Sequence, residues 1–134
     1  MIVLGIDPGT HKAGFALLKE GPQTTPLALG IEPLEKLIER VSQLSSHYEI
    51  GAVALGRGTH ARTLAQMLER LNLPVHLVDE HETTLQARAL YFADHPPRGW
   101  RRLIPLGMQL PPRPIDDYAA VLIARRYLRR LERG

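Results

Sequence analysis

The stretch GIDPGTHKAGFAL, residues 5–17, places Asp7 behind a short apolar run and in front of Pro8-Gly9, and a second apolar run begins a few residues later. Residues 2–6 read as a buried strand and residues 13–18 as another. The Pro-Gly-Thr-His-Lys link is too short for a crossover, so the two strands pair as an antiparallel hairpin. Asp7 then stands at the end of the first strand, on the rim of a sheet. An aspartate before Pro-Gly is also an ordinary turn former, and this stretch alone does not decide between a turn role and a chemical one.

Outward from the hairpin, residues 26–31 are a candidate third strand, and Pro33 suits the first turn of a helix running to about residue 47. Leu34, Leu37, Ile38, Val41 and Leu44 recur at the three-and-four spacing of one apolar helical face. Residues 50–55 (IGAVAL) form a buried strand, residues 60–71 a helix with Leu64, Met67, Leu68 and Leu71 at helical spacing, and residues 75–79 (VHLVD) a further strand. Strand–helix–strand order implies parallel pairing, so the sheet is mixed, with an antiparallel meander first and parallel strands after. Thr83 and Thr84 are placed to cap a helix reaching about Phe92. Residues 95–114 carry six prolines and read as an irregular loop, and residues 115–131 as a last helix. The expectation is one α/β domain over residues 1–134, a mixed five-stranded sheet flanked by helices.

Composition narrows the chemistry. At 134 residues, 44% hydrophobic and 23% charged, the chain has the make-up of a soluble globular domain, with no apolar stretch long enough to cross a bilayer. The N-terminal run lacks a basic leader, so a cytoplasmic location is expected. Zero cysteines exclude disulfides, thiolate zinc sites and cysteine nucleophiles. A metal here would be hard and oxygen-ligated, magnesium or manganese. Residues 98–134 hold nine arginines against three acids, a charge of +6 in a chain whose net charge is +3. Guanidinium groups so clustered suit phosphate, although a solvated helix face has the same composition.

Three acidic positions lie at informative places: Asp7 after the first strand, Asp79-Glu80 after the late parallel strand, and Asp116-Asp117 at the start of the last helix. If the first and late strands are neighbours, Asp7 and Glu80 converge at one rim, and a helix crossing the sheet brings Asp116 to them. Carboxylates that close repel unless a cation lies among them. A divalent ion so held can ready a water for phosphodiester cleavage. Taken singly, each acid has another explanation: Asp116 and Asp117 suit a helix N-terminus, and Glu80 a surface.

The hairpin resembles the first hairpin of the RuvC-like branch of the RNase H-like superfamily. Two further stretches, VDEHETTLQARALY (78–91) and IDDYAAVLIARRYL (115–128), are similar to motifs of the YqgF family, nucleases of the ribosomal RNA precursor. That resemblance implies a metal-dependent nuclease with Asp7, Glu80 and Asp116 as catalytic metal ligands, Mg2+ or Mn2+ as cofactor, and a nucleic acid as partner. Alignment with resolvases of the RuvC type would add Asp117 as a ligand. The chain departs from the family at GRGTHARTLAQML (56–68), closer to the YqgF-like domain of Tex-type transcription accessory proteins, at His81 in place of an arginine, and in its longer Pro-rich loop.

Candidates for holding the nucleic acid are Lys12 in the hairpin turn, Arg57 and Arg62 around a Gly-flanked loop, and Arg98, Trp100, Arg101, Arg102 and Arg113 in the Pro-rich stretch, Trp100 as a stacking platform. His60, His76 and His95 have no nameable partner in the sequence. Besides a nuclease acting in rRNA precursor processing, as monomer or homodimer, two readings stay open. One is a dimeric Holliday-junction resolvase, the other a non-catalytic nucleic-acid-binding module.

Overall fold

Apolar runs and helical stripes assemble around one mixed sheet in the computed structural model, which describes residues 1–21, 26–58, 60–79, 83–96, 99, 103 and 114–133. The elements are β1 (Ile2–Pro8), β2 (Lys12–Lys19), β3 (Ala28–Pro33), α1 (Leu34–His47), β4 (Ile50–Gly56), α2 (Ala61–Glu69), β5 (Val75–Val78), α3 (Thr83–Asp94) and α4 (Asp116–Arg133). The strands lie in the order β3-β2-β1-β4-β5. Pairing is antiparallel from β1 through β3 and parallel from β1 through β5. The mixed sheet flanked by helices is the architecture the sequence pattern implies.

Several details differ from that reading, among them the third strand, which runs over Ala28–Pro33 rather than 26–31. Pro33 closes β3, paired with Lys12, and α1 begins only at Leu34, because the fixed φ of proline suits an extended strand end as well as a first turn. Strands β1 and β5 are not neighbours, since β4 lies between them. Two inter-strand spacings, roughly 10 Å, therefore separate the ends of β1 and β5. The order of parallel strands is set by where each crossover helix packs, which local sequence does not encode.

The two faces of the sheet are built from side chains of different size. On one, Leu4, Ile6, Phe15, Leu17, Val53 and Leu55 meet Leu37, Val41 and Leu44 of α1 and Leu64 and Leu68 of α2. Each such side chain contributes about 1.5–3 kcal/mol when fully buried. Met67 of α2, expected in that stripe, stays 36% exposed. On the other face, Val3, Ala16, Ala52, Ala54 and Val78 meet Ala120, Val121, Ile123, Ala124 and Tyr127 of α4. Gly5 and Gly14 lie there too, and a Cβ on either would overlap a backbone carbonyl of α4, that of Ala120 or Asp116 respectively. Small residues let α4 lie directly against β1 and β2, and α3 covers α4 through Tyr91, Phe92, Tyr118 and Ala119. None of the described helices is long and apolar enough to cross a membrane.

Candidate functional site

One rim of the sheet gathers the ends of β1, β4 and β5, the start of β2 and the first turn of α4. Asp7 pairs with Gly14 across the hairpin, and antiparallel partners turn their side chains to the same face. On that face the backbone of Asp116 and Asp117 covers Gly14. The residues that the fold makes small therefore bring the first turn of α4 onto the strand beside Asp7. Asp116 thus stands on the same rim of the sheet as Asp7.

The remaining acids divide. Asp116 is half-buried, and its Oδ2 lies 3.9 Å from Nζ of Lys12. Asp117 is 4% exposed, and its Oδ1 accepts a hydrogen bond from the N–H of Tyr118 at 3.0 Å. Asp79 follows β5 at the same rim, where its carbonyl accepts a hydrogen bond from Arg126. Glu80 and His81 lie outside the described residues, as do Thr59 and the nucleic-acid candidates Arg98, Trp100, Arg101, Arg102 and Arg113. Among the described residues, no three acidic or histidine side chains group closely enough to hold an ion. The acids on this rim, Asp7 and Asp116, are nevertheless of the right kind. They are hard carboxylate oxygens carried on separate elements, with a cationic ammonium already at one of them, as an ion of like charge sign would be.

Basic groups are arranged in two ways. Arg57, exposed, follows β4 at the rim, and Arg62, also exposed, stands in the first turn of α2 behind His60. His60 has a left-handed φ of 65°, which turns the chain into that helix. By contrast, the guanidinium groups of α4 serve the fold. Arg126 Nη1 donates to the Asp79 carbonyl at 2.6 Å and Arg130 Nη2 to that of Leu77 at 3.4 Å, covering carbonyls of the edge strand β5. Arg125 lines a cleft of about 220 Å³ with Pro26, Leu29, Leu90, Asp94 and Tyr118. Burial, then neighbouring Arg129, lowers the pKa of Arg125 while Asp94 opposes the shift, and the group stays charged at physiological pH. The tail expected as a whole to hold phosphate is thus partly committed to packing.

Sequence reasoning also left partners unnamed that the fold supplies. His76 stacks on Tyr127 with ring centroids 5.0 Å apart, and His95 on Tyr91 at 4.5 Å. Tyr118 donates its hydroxyl to Asp94 Oδ2 at 3.0 Å, tying α4 to α3. Gly5 and Gly14 carried a readable signal that was missed: a glycine inside a strand pattern marks close approach of another backbone.

No model of a known protein family matches the chain. It is 34% identical, over 146 residues, to a protein of Pelotomaculum thermopropionicum named "Putative pre-16S rRNA nuclease", with 96% of this chain and 86% of that one covered. A protein of the same name from Lactobacillus acidophilus is 27% identical, with 96% of each chain covered. Among solved structures, Thermus thermophilus RuvC in complex with a Holliday junction substrate superposes with a TM-score of 0.64 at 21% identity, covering 100% of this chain and 97% of that one. The Fowlpox virus resolvase bound to Holliday junction DNA gives a TM-score of 0.63 at 14% identity, covering 98% and 99%.

Proposed function

Because the chain belongs to the YqgF family of pre-16S rRNA nucleases and has the RNase H-like fold, we propose that it hydrolyses phosphodiester bonds of a ribosomal RNA precursor at the rim carrying Asp7 and Asp116. The observation that carries this reading is the seating of α4 on Gly14, which sets Asp116 beside the strand partner of Asp7. Asp7 and Asp116, with Glu80 as the third acid and Asp117 in support, would hold one or two Mg2+ or Mn2+ ions. A divalent ion bound there supplies an activated water and stabilises the leaving oxygen.

The chain's own residues do the rest. Asp7 lies one residue before the end of β1, a strand paired with both β2 and β4, and Asp116 opens an 18-residue helix packed on the sheet, so both carboxylates ride on rigid elements. Arg57 directly follows β4, which lies between β1 with Asp7 and β5, and Arg62 lies nearby at the start of α2. Their fixed charges would hold the phosphates flanking the scissile bond, leaving in-line attack by water unobstructed.

The test compares end-labelled single-stranded precursor RNA with a synthetic four-way DNA junction, each incubated with Mg2+, Mn2+ or a chelator. Cleavage of the RNA that needs the metal is expected. Cutting confined to the junction would replace the proposal with a resolvase, and binding of either nucleic acid without cutting would make the chain a non-catalytic module.

A further inference from the structure

The hairpin turn that brings Asp7 to the rim also fixes Lys12 there. The Gly9 N–H donates to the Lys12 carbonyl at 2.9 Å, and the Leu34 N–H donates to the His11 carbonyl at 3.1 Å, so the backbone is tied on both sides. Lys12 and Gly14 are two residues apart on β2 and therefore share a sheet face. That face is the one on which Asp116 and Asp117 cover Gly14. The lysine stem thus starts on the acidic side of the sheet, and its ammonium lies 3.9 Å from Asp116 Oδ2. A lysine present only for solubility would have no reason to face an acid the fold has brought to the rim.

From this geometry we infer that Lys12 is a tethered counter-ion of the acidic rim: it neutralises Asp116 when no divalent ion is bound and competes with the ion for that carboxylate. The inference rests on the reading of the rim as a metal site. An ammonium and a dication both take the oxygens of Asp116, and their mutual repulsion prevents both from staying in contact with it. Metal binding therefore has to displace Lys12, and the lysine weakens the apparent affinity for metal. The side chains are 44% and 33% exposed, so the pair is a screened one and its competition is modest. Once displaced, the ammonium remains at the rim on its four-carbon stem, where the phosphate of the substrate arrives.

The test is a calorimetric titration of the nucleic-acid-free protein with Mn2+ at fixed ionic strength, on wild type and on Lys12→Met, Lys12→Arg and Lys36→Met variants whose folding is checked by thermal melting. Lys36 lies on α1, on the opposite face of the sheet, and removes the same formal charge at a distance. Lys12→Met is expected to bind Mn2+ about twofold to fivefold more tightly than wild type. Lys12→Arg, which keeps the charge, stays near wild type, and the gain shrinks as salt rises. Lys12→Gln, with the same expected gain, replaces Lys12→Met if the latter melts abnormally. Unchanged or weaker binding in Lys12→Met overturns the inference alone, as does an equal gain in Lys36→Met, which would reduce the effect to overall charge. If wild type and Lys12→Met both fail to bind Mn2+, the metal reading of the rim falls and takes the inference with it.

Discussion

Replacing Gly14 by alanine tests the geometry on which the site depends. The added Cβ would overlap the carbonyl of Asp116, and restoring an allowed contact requires the first turn of α4 to rise by about 1 Å. The obstructing group is backbone in a helix packed along β1 and β2, so no side chain can swing aside. Overpacking of this kind costs about 1–3 kcal/mol, offset by up to about 1 kcal/mol because alanine restricts the unfolded chain. A net loss near 1.5 kcal/mol lowers the urea midpoint by roughly 1 M for a small domain. A 1 Å misplacement of catalytic groups also slows the reaction on the order of a hundredfold. The assay is urea unfolding followed by RNA cleavage in the absence of denaturant, where the variant remains folded. A variant with the wild-type midpoint and wild-type cleavage rate would refute the claim that α4 is seated on β2 through this glycine.

Asp7→Asn should reduce cleavage at least a hundredfold while leaving the melting temperature nearly unchanged, because the side chain keeps its shape and loses only its charge; a cleavage time course alongside a thermal melt measures both. Arg126→Ala combined with Arg130→Ala removes two donors from the carbonyls of Asp79 and Leu77, and is expected to destabilise the protein by about 1 kcal/mol and to speed amide hydrogen exchange in β5 more than in β1. Tyr118→Phe deletes the hydroxyl bonded to Asp94 and should cost about 1 kcal/mol in urea unfolding, reporting the tie between α3 and α4. Leu37→Ala, at a fully buried position of α1, should cost about 2–5 kcal/mol by the same measurement, without moving the rim acids.

Much of the fold was legible because its local signals agree. The apolar runs of β1, β2 and β4 are bounded by turn residues, and α1 carries its stripe of Leu37, Val41 and Leu44 at helical spacing. Asp7 and Asp116 were legible as rim residues because each is fixed by the end of an element: a strand ends one residue beyond the first, and a helix starts at the second. The position of β4 between β1 and β5 was not legible, since nothing in the residues of a parallel strand names its neighbours. Nor could charge counting sort the arginines. Arg126 and Arg130 are of the same type and sequence context as Arg125 and Arg129, and only the packing of α4 against β5 shows that the first two serve edge carbonyls.

The difference in side-chain size between the two sheet faces links the fold to the site. On the α1–α2 face, leucine, isoleucine and phenylalanine hold the helices at the usual distance, and a polar group on such a helix would stand well above the strands. On the α4 face, Gly5, Gly14, Ala16, Ala52 and Ala54 oppose Ala120 and Ala124, so helix backbone touches strand backbone. At that closer separation the first turn of α4, with Asp116, lies against Gly14, the strand partner of Asp7. The glycines and alanines of β1, β2 and β4 therefore sacrifice buried apolar area, at about 25 cal/mol per Å², on the face that receives α4 and its first-turn acids. Enlarging them toward the leucine-rich pattern of the other face would improve apolar burial while lifting the first turn of α4, and Asp116 with it, off β2, so that under the proposed function the small-residue face would serve the chemistry as well as the packing.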